Sequence, residues 1–367
     1  KLNSISILNY KNIGEATLAF SPKVNCLIGN NGMGKTNILD AIYYLSFCKS
    51  STGQTDASVI THDADFMMLQ GKYTRHDADE DVSMGMQRGK RKTVRRGGKE
   101  YKRLSQHIGL LPLVMVSPAD WDLIRGAGEE RRKLMDMIIS QGDKEYLAAV
   151  IAYTKAVEQR NAIIKKEFRD PLLYETVEHQ MATTAAYIHA ARKRWIEAFE
   201  PIFMHYYNAI AGDGECVRML YKSHLNEGSM LEHLNATRER DFIIGYTTRG
   251  VHRDDIELLL GEHSMRKTGS QGQCKTYTIA LRLAQFEFLK EHTALTPILL
   301  LDDIFDKLDA SRVESIIEVV SDERFGQIFI TDTNRTHLDE IVRRVSGDFA
   351  MFGVENGVCS LINRSNQ

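Results

Sequence analysis

A glycine-rich turn near the amino terminus carries the residue types that bind nucleotide phosphates. Residues 29–36, GNNGMGKT, follow an apolar strand, open a helix and satisfy the pattern G-x-x-x-x-G-K-[ST]. The glycines let backbone N–H groups surround phosphates, and the helix N-terminus adds partial positive charge. In this pattern Lys35 bridges the β- and γ-phosphates and Thr36 holds Mg²⁺. We therefore predict an ATP and Mg²⁺ site formed by Gly29, Asn30, Asn31, Gly32, Met33, Gly34, Lys35, Thr36 and Asn37.

Two adjacent carboxylates follow a second apolar strand, PILLLDD at 297–303. Asp302, at the end of this strand, is positioned to hold Mg²⁺ together with Thr36. Asp303 is the next residue, where a carboxylate can polarise the attacking water. A purely structural carboxylate near the metal is the alternative for Asp303. With Lys35, these two aspartates are the predicted catalytic residues.

A second phosphate-binding helix end is predicted at Ser270, Gln271, Gly272 and Gln273, which open the helix of GSQGQCKTYTIALRLAQFEFL. One nucleotide site needs only one glycine turn. A second phosphate-binding helix end in the same chain therefore indicates a nucleotide held between two copies of the chain. An ordinary helix N-cap formed by Ser270 is the alternative that this motif leaves open.

Residues 88–103, RGKRKTVRRGGKEYKR, contain nine Lys or Arg residues and one acid. On a β-hairpin such side chains meet DNA phosphates without reading base sequence. The alternative is a charged hairpin that prevents edge-to-edge aggregation. No single-strand aromatic platform stands out in the sequence. The candidate DNA contacts are Arg88, Lys90, Arg91, Lys92, Arg95, Arg96 and Lys99.

Three further charged motifs are interpreted as structural. His252–Asp255, HRDD, joins a base to two carboxylates, but we expect a turn before the strand IELLL, with Arg253 near the Ser270 helix. The segment 129–136, EERRKLMD, has the spacing of i,i+3 and i,i+4 helical ion pairs. The cluster ARKRW at 191–195 contains Trp195, for which we expect a core position.

The order of elements predicts an αβ domain split by a helical insertion. Strand-like alternation precedes the glycine turn, and short antiparallel strands are expected over 66–104. Residues 129–211 have helical spacing, with two or three long helices that are antiparallel across the break at Pro171. We predict an ATPase domain formed by 1–110 and 242–367, and a mainly helical lobe with a short arm at 111–241.

Composition sets further limits. The 367 residues carry 47 Lys and Arg against 49 Asp and Glu, so a polyanion must be met by local patches. The five cysteines have no metal-ligand spacing and indicate a reducing compartment. No run of about 18 apolar residues is present. We expect a cytoplasmic protein without a membrane partner.

The order of all these motifs resembles that of the ABC-type ATPases, and in particular their SMC-like branch. The blocks NYKNI, GNNGMGKTN, VSPADWDLIRGAGEERRKLMD, TRGVHRDDIELLL, GSQGQ and LLLDDIFDKLD are similar, in their order, to those of the bacterial RecF-like recombination mediators. The resemblance covers essentially the whole chain. It implies an α/β fold: a P-loop ATPase head, with a mixed sheet and helices, that carries an inserted helical arm domain.

The resemblance also implies residue roles. In that family the Ser270 motif of one subunit touches the γ-phosphate held by the other, and a D-loop, here with Asp306 and Asp309, crosses the same interface. Lys11 falls where the family carries a basic residue near the nucleotide, although a solvated surface lysine is equally compatible. This chain has Asp303 where ABC enzymes have Glu, and it offers Thr331, Asp332 and Thr333 in place of the switch histidine.

The function that the resemblance implies is a recombination-mediator ATPase in DNA repair. Such a protein dimerises around ATP, binds duplex or gapped DNA, and helps RecO and RecR to load RecA at gaps and stalled forks. Weak, DNA-stimulated hydrolysis drives release. The alternatives are an SMC-like structural tether and, less favoured, an ABC transporter ATPase or a nuclease.

Overall fold

The computed structural model describes residues 1–212, 214–306, 308–345 and 347–365. Within these ranges the strands are β1 Leu2–Tyr10, β2 Ile13–Ala19, β3 Val24–Ile28, β4 Phe66–Arg75, β5 Ala78–Gln87, β6 Thr93–Arg96, β7 Lys99–Glu100, β8 Leu113–Val116, β9 Val217–Lys222, β10 Asp255–Leu260, β11 His263–Ser264, β12 Ile298–Asp302, β13 Ile328–Asp332, β14 Phe349–Glu355 and β15 Val358–Arg364. The helices are α1 Lys35–Phe47, α2 Trp121–Arg125, α3 Gly128–Gly142, α4 Lys144–Lys165, α5 Pro171–Ala211, α6 Met230–Ile244, α7 Met265–Thr268, α8 Gln271–Thr293, α9 Ala310–Val320 and α10 Arg335–Arg344.

The chain forms two compact units. Unit 1 contains residues 1–120, 209–211 and 275–367, and unit 2 contains residues 121–208 and 212–274. This division differs from the predicted boundaries at residues 110 and 241. Residues 111–120 belong to unit 1, because β8 pairs with β12. Residues 242–274 belong to unit 2, because β10 pairs along its whole length with β9.

The nucleotide-binding elements of unit 1 belong to a six-stranded sheet with the order β15-β14-β3-β13-β12-β8. Strands β14, β3, β13, β12 and β8 are parallel, and β15 is antiparallel. β3, β12 and β13 are apolar and almost wholly buried, as expected of parallel strands covered on both faces. Because parallel strands end at the same edge, the residues that follow β3, β12 and β13 meet there.

A second sheet of unit 1 is antiparallel, with the order β2-β1-β4-β5-β6-β7. It confirms the antiparallel strands expected over 66–104, although β4 and β5, with 10 residues each, are longer than the short strands predicted. One face is buried and includes Leu69, Met84 and Val94. Residues on the opposite face alternate with these, as the period of two requires.

Unit 2 contains the long helices that were expected before and after Pro171. α4 ends at Lys165, and α5 begins at Pro171, whose missing N–H costs nothing at the first helical position. Asp143 at the start of α4 accepts a hydrogen bond from Tyr187 in α5, and Arg160 near the end of α4 pairs with Glu178 in α5. These contacts make the two helices antiparallel, as predicted.

Buried arginines tie the helices of unit 2 together. Arg160 has no exposed surface and binds Glu178 at 3.0 Å, Asp241 at 2.8 Å and Thr247 at 2.9 Å. Removing one partner of such a buried charge typically costs about 3–5 kcal/mol. This network therefore fixes the relative positions of α4, α5 and α6. Within the described ranges, no helix combines the length and apolar content that a bilayer crossing requires.

Candidate functional site

The glycine turn between β3 and α1 has the backbone geometry that a phosphate site needs. Gly32 and Gly34 have φ angles of 80° and 112°, in the left-handed region that favours glycine. A Cβ at Gly29 would lie 2.3 Å from the carbonyl oxygen of Val354, so the chain can pass there only as glycine. The turn then enters α1 directly, with Gly34 as its N-cap.

Lys35 reaches back over this turn. Its Nζ donates hydrogen bonds to the carbonyl oxygens of Gly29 at 2.6 Å and Asn30 at 3.0 Å. Burial lowers the pKa of the Lys35 ammonium, although the neighbouring aspartates, Asp303 foremost, act to raise it. The Lys35 ammonium is thus held at the centre of the turn by backbone carbonyl oxygens. Asn37, one turn into the helix, donates to Asn12 Oδ1 at 2.7 Å.

The predicted Mg²⁺ residues are in direct contact. Thr36 Oγ1 donates to the two carboxylate oxygens of Asp302 at 3.0 and 2.9 Å, although these residues belong to different strand–turn segments. Thr331 Oγ1, at the end of β13, donates to Asp302 Oδ1 at 2.7 Å. The sheet order therefore brings the ends of β3, β12 and β13 together around one carboxylate.

Burial raises the pKa of the Asp302 carboxyl, against hydrogen bonds from Thr331 and Thr36 that act to lower it. Burial also raises the pKa of the Asp303 carboxyl, and the nearby carboxylate of Asp332 is the next contribution in the same direction. Asp303 also has a φ of 50°, an unusual conformation for a non-glycine residue. Its N–H donates to the Thr331 side chain at 3.0 Å. A crowded set of acids held in such a conformation is typical of a functional site.

The donor set fits Mg²⁺. A hydroxyl and a carboxylate supply hard oxygen atoms, and Mg²⁺ is commonly held by one or two carboxylates together with nucleotide phosphates. Among the described residues, no cluster of three or more His, Cys, Asp or Glu side chains forms a self-sufficient metal site. Thr36 and Asp302 would thus need phosphate oxygens to complete the coordination.

The predicted switch residues have distinct surroundings. Thr331 is bonded to Asp302, whereas both carboxylate oxygens of Asp332 are engaged elsewhere. Asp332 Oδ2 lies 2.8 Å from His337 Nδ1, and the His337 ring lies 5.0 Å from that of Phe305. Sequence reasoning found no switch histidine and missed His337. The sequence feature that could have revealed His337 is its place in the first turn of the helix that follows Asp332. Thr333 is exposed.

The Ser270 motif forms an N-cap on α8 within unit 2. Ser270 N–H donates to Gln273 Oε1 at 2.9 Å, and Gln273 N–H donates to Ser270 Oγ at 3.2 Å, a reciprocal capping box. The capping alternative is therefore present, and Ser270 and Gln271 remain exposed. The phosphate contact of Ser270, Gln271, Gly272 and Gln273 stays a prediction.

Sequence reasoning also missed Glu215 and Lys275. Gln273 Nε2 donates to Glu215 Oε1 at 2.6 Å, and the hydroxyl of Tyr207 donates to the other Glu215 oxygen. The start of α8 is thereby linked to the end of α5. Lys275 Nζ reaches the carbonyl oxygens of Asp303, at 3.5 Å, and Asp306. Both residues lack a local motif, because only the fold brings them to these partners.

The predicted D-loop begins with an exposed Asp306 and continues through Lys307, which lies outside the described residues. Asp309 is the N-cap of α9 and accepts from the Arg312 N–H at 3.0 Å and from Ser311 Oγ at 2.7 Å. This contact gives Asp309 a structural role. An interface role for Asp306 and Asp309 stays a prediction.

Lys11 is engaged in unit 1 rather than free. Its Nζ lies 2.7 Å from Asp40 Oδ2 and 3.2 Å from Thr52 Oγ1, and its side chain is 9% exposed. Asp40 also accepts from Tyr10 at 2.6 Å and from Ser50 at 2.8 Å. Lys11 thus neutralises a buried carboxylate on α1, and a nucleotide contact by Lys11 stays a prediction.

The basic segment divides into structural and available cations. Arg88 donates to carbonyl oxygens of residues 57–64, Lys92 pairs with Asp56 at 2.8 Å, and Arg96 pairs with Glu80 at 2.6 Å. Each of these three therefore holds the sheet or its loops. The remaining candidates are exposed and have no ion pair to a described residue: Lys90, Arg91, Arg95 and Lys99.

The three other charged motifs are structural, as expected. Asp254 accepts from Arg192 at 2.7 Å and from Tyr221 at 2.6 Å, and Asp255 pairs with Arg131. The guanidinium of Arg253 lies 5.1 Å from the Tyr246 ring centre, and its position near the Ser270 helix stays a prediction. In the 129–136 segment, the predicted spacing appears as ion pairs from Lys133 to Glu129 and Glu130. Trp195 is buried, as expected.

The chain is similar in sequence to known proteins. The family model described as "RecF/RecN/SMC N terminal domain" matches residues 1–358. "DNA replication and repair protein RecF" of Parabacteroides distasonis is 54% identical over 356 residues, which are 97% of this chain and 98% of the relative. The protein of the same name from Bacteroides thetaiotaomicron is 52% identical, with 97% of both chains covered.

Solved structures are similar to this chain in fold. "Structure of the recombination mediator protein RecF-ATP in RecFOR pathway" has a TM-score of 0.88 at 26% identity and covers 99% of this chain and 97% of that chain. The Smc head domain of Pyrococcus furiosus has a TM-score of 0.59 at 16% identity, over 98% of this chain and 95% of that one. The second likeness concerns the fold alone, and it supports an SMC-type head with an inserted helical arm.

Proposed function

Because the chain belongs to the RecF family of DNA replication and repair proteins, we propose that it dimerises around ATP and thereby holds duplex or gapped DNA. The observation that carries this proposal is the cluster of Thr36, Asp302 and Thr331 beside the glycine turn. A solved relative of the same fold is named as RecF with ATP, which supports ATP as the nucleotide.

The chemistry follows from the residues of this cluster. The glycine turn and Lys35 bind the phosphates, and the Ser270 helix end of a second copy contacts the γ-phosphate. Mg²⁺ held by Thr36 and Asp302 would neutralise charge on the phosphate oxygens. Asp303 orients the attacking water as the general base. Its side chain is one methylene shorter than glutamate, so hydrolysis is slow, and DNA stimulates it by favouring the dimer.

Nucleotide binding then acts as the switch, and hydrolysis acts as the timer that releases DNA. The solved relative is called a recombination mediator of the RecFOR pathway. By that likeness, the partners of this chain are RecR- and RecO-type mediators, and the outcome is the loading of RecA at gaps and stalled forks. The exposed residues Lys90, Arg91, Arg95 and Lys99 supply contacts to the DNA backbone.

The first prediction tests the switch by the substitution Lys35→Met. Removing the ammonium leaves the phosphates without their central cation, so ATP-dependent dimerisation should be lost and DNA retention with ATP should fall about tenfold or more. Light scattering with and without ATP measures the dimer, and filter binding of gapped duplex measures retention at one salt concentration.

The control is Lys133→Met, which removes an exposed lysine on α3. This variant should dimerise and retain DNA as the unchanged protein does. Unchanged DNA retention by Lys35→Met, at equal protein and salt, would remove the proposed coupling between ATP and DNA.

A further inference from the structure

The outer face of the antiparallel sheet of unit 1 carries an exposed apolar pair. Phe66 and Met68 are neighbours on the same face of β4, and each is 47% exposed. Across from them, Gln87 pairs with Phe66 and Gly85 pairs with Met68. Gly85 in turn pairs with Thr93 of β6, and Ser83 pairs with Arg95. We call this surface the open face; it consists of Phe66, Met68, Ser83, Gly85, Gln87, Thr93 and Arg95.

The open face is a shallow trough. Together with Lys90 and Arg91 its residues line a depression of about 360 Å³. Gly85 forms the floor, and a Cβ added there would meet no atom within 4 Å. Gly85, directly across from Met68, has no side chain to cover it, and both Phe66 and Met68 remain exposed. The buried face of the same strands already supplies the core, so stability does not require this exposed pair.

The charge around the trough is positive. Lys90, Arg91 and Arg95 are exposed and have no ion pair to a described residue. Glu100 stands across the strand pair from Arg95. The described residues show no ion pair between them. Three available cations therefore surround an aromatic ring and a thioether, with the Ser, Thr and Gln side chains of the open face between them.

We infer that the open face binds an unpaired DNA strand, with bases against Phe66 and Met68 and phosphates at Lys90, Arg91 and Arg95. This inference rests on the proposed DNA-binding function and adds a strand preference to it. Bases present a flat apolar face to an aromatic ring in a way that tolerates any sequence, and cations beside the ring follow the backbone. Thr93, Ser83 and Gln87 supply hydrogen-bonding groups for base edges.

The dimensions favour one strand over a duplex. Neighbouring strands of a sheet lie about 4.8 Å apart, so β4 and β6 are separated by about 10 Å. This width accommodates one unstacked strand. In a duplex the base faces are stacked and only their edges reach the grooves, so Phe66 and Met68 would gain no contact. A protein at a gap would thus hold its unpaired strand here.

A peptide fits this surface less well. An extended peptide gains most of its affinity by pairing with a free sheet edge, whereas the backbone of β4 and β5 is already paired on both sides. A helical ligand needs a longer row of apolar anchors than Phe66 and Met68 provide. The bordering cations also match a polyanion. The observations therefore favour nucleic acid over an acidic protein segment.

The experiment compares Phe66→Ala and Gly85→Leu with the unchanged protein. Fluorescence anisotropy at fixed salt measures binding of a labelled oligo-dT strand and of a blunt duplex of equal length. We expect single-strand affinity to fall about tenfold for Phe66→Ala, because base–aromatic contact is lost. Gly85→Leu should weaken the single strand similarly by filling the floor of the trough. Duplex affinity should change less than twofold in both variants.

Leu361→Ala, which truncates an exposed side chain on β15, is the control and should bind both DNAs normally. If both open-face variants bind the single strand as tightly as the unchanged protein, the inference is overturned. Equal losses for strand and duplex would overturn the strand preference. A synthetic Asp- and Glu-rich peptide with one Phe is the competing probe. If only its binding depends on Phe66, the surface belongs to a protein partner. Failure of the unchanged protein to bind any DNA would refute the proposed function instead.

Discussion

At the residue scale, the nucleotide site is organised around one buried carboxylate. Asp302 accepts hydrogen bonds from Thr36 and Thr331. The neighbouring carboxylate Asp303 acts to raise the pKa of Asp302. Burial is the principal cause of the raised pKa of Asp302. A carboxyl group whose folded-state pKa lies above its unfolded value lowers the stability of the fold once it is ionised. The site therefore holds a charge that a bound cation would relieve.

The second prediction concerns Asp302→Asn. The amide keeps an oxygen where Oδ1 accepts from Thr36 and Thr331, and it removes the buried charge. We expect the melting temperature without nucleotide at pH 7 to rise by on the order of 2 °C, while ATP turnover falls to background. Calorimetry and phosphate release measure the two effects.

Asp322→Asn is the matched control. The hydrogen bond from Arg324 lowers the pKa of Asp322, so its ionised form stabilises the fold at pH 7. This variant should not melt higher and should keep its turnover. A lower melting temperature for Asp302→Asn would contradict the account of a destabilising buried charge.

At the element scale, the HRDD turn before β10 illustrates how buried polar contacts fix a loop. His252 Nδ1 accepts from the Tyr153 hydroxyl at 2.8 Å, and Nε2 donates to the carbonyl oxygen of Thr247 at 3.0 Å. In the neutral tautomer, both ring nitrogens of His252 thus have a hydrogen-bond partner. Burial lowers the pKa of His252 to about 4. The residue therefore acts as a neutral support and not as a catalytic base.

The third prediction is a pH dependence of stability. Between pH 6.5 and about 4, the unfolded chain binds a proton at His252 that the folded chain does not. The free energy of unfolding should therefore fall by up to about 3 kcal/mol over this range, and it should be unaffected by His252 above pH 6.5. Urea unfolding of the unchanged protein and of His252→Gln at four pH values measures this difference.

Replacing the exposed His179 of α5 with Gln provides the comparison and should leave the pH profile as it was. His252→Gln should also retain ATP turnover, since the imidazole takes no part in the chemistry. Identical pH profiles for His252→Gln and the unchanged protein would refute the buried neutral histidine. Loss of turnover without loss of stability would restore a catalytic role.

At the scale of the whole molecule, DNA binding depends on local charge. The formal net charge is −2, so the chain as a whole does not attract a polyanion. Among the candidate DNA contacts, Arg88, Lys92 and Arg96 are engaged within unit 1. The four candidates without an ion pair to a described residue, Lys90, Arg91, Arg95 and Lys99, are available to exchange solvent ions for phosphates. Affinity should therefore depend strongly on salt and on few residues.

The fourth prediction concerns Lys99→Ala, which removes one available cation outside the open face. Each phosphate contact that is lost makes the plot of log affinity against log salt shallower by about 1. Titrations of duplex DNA at several salt concentrations measure the slope. Lys193→Ala, in the ARKRW cluster at 191–195, should keep the original slope. If only Lys193→Ala changes the slope, duplex DNA contacts the ARKRW cluster instead.

The arm length bears on the alternative of an SMC-like tether. α5 has 41 residues and so extends about 60 Å at 1.5 Å per residue. α4, its antiparallel partner, has 22 residues. Helices of this length form a short arm, which is consistent with the short-armed lobe that the sequence predicts. A tether between distant DNA segments requires a much longer coiled coil.

The sequence by itself determined the elements that carry the nucleotide chemistry. Gly29, Gly34 and Lys35 reveal a phosphate turn because their spacing between a strand and a helix is local. Asp302 is identified for the same reason, at the end of an apolar strand. The antiparallel helices on either side of Pro171 follow from helical periodicity and from a residue that can only begin a helix. Local spacing and conformational preference are properties of the chain alone.

Only the tertiary structure decided which side chains are engaged and which are available. Lys92 and Lys90 look alike in a basic run, yet Lys92 binds Asp56 and Lys90 remains exposed. Gln273 meets Glu215, and Phe66 is left uncovered on a sheet, through contacts between residues far apart in the chain. The boundary between the two units falls within α8, where helix periodicity alone gives no sign of it. Such pairings are set by packing and burial, which spacing along the sequence does not encode.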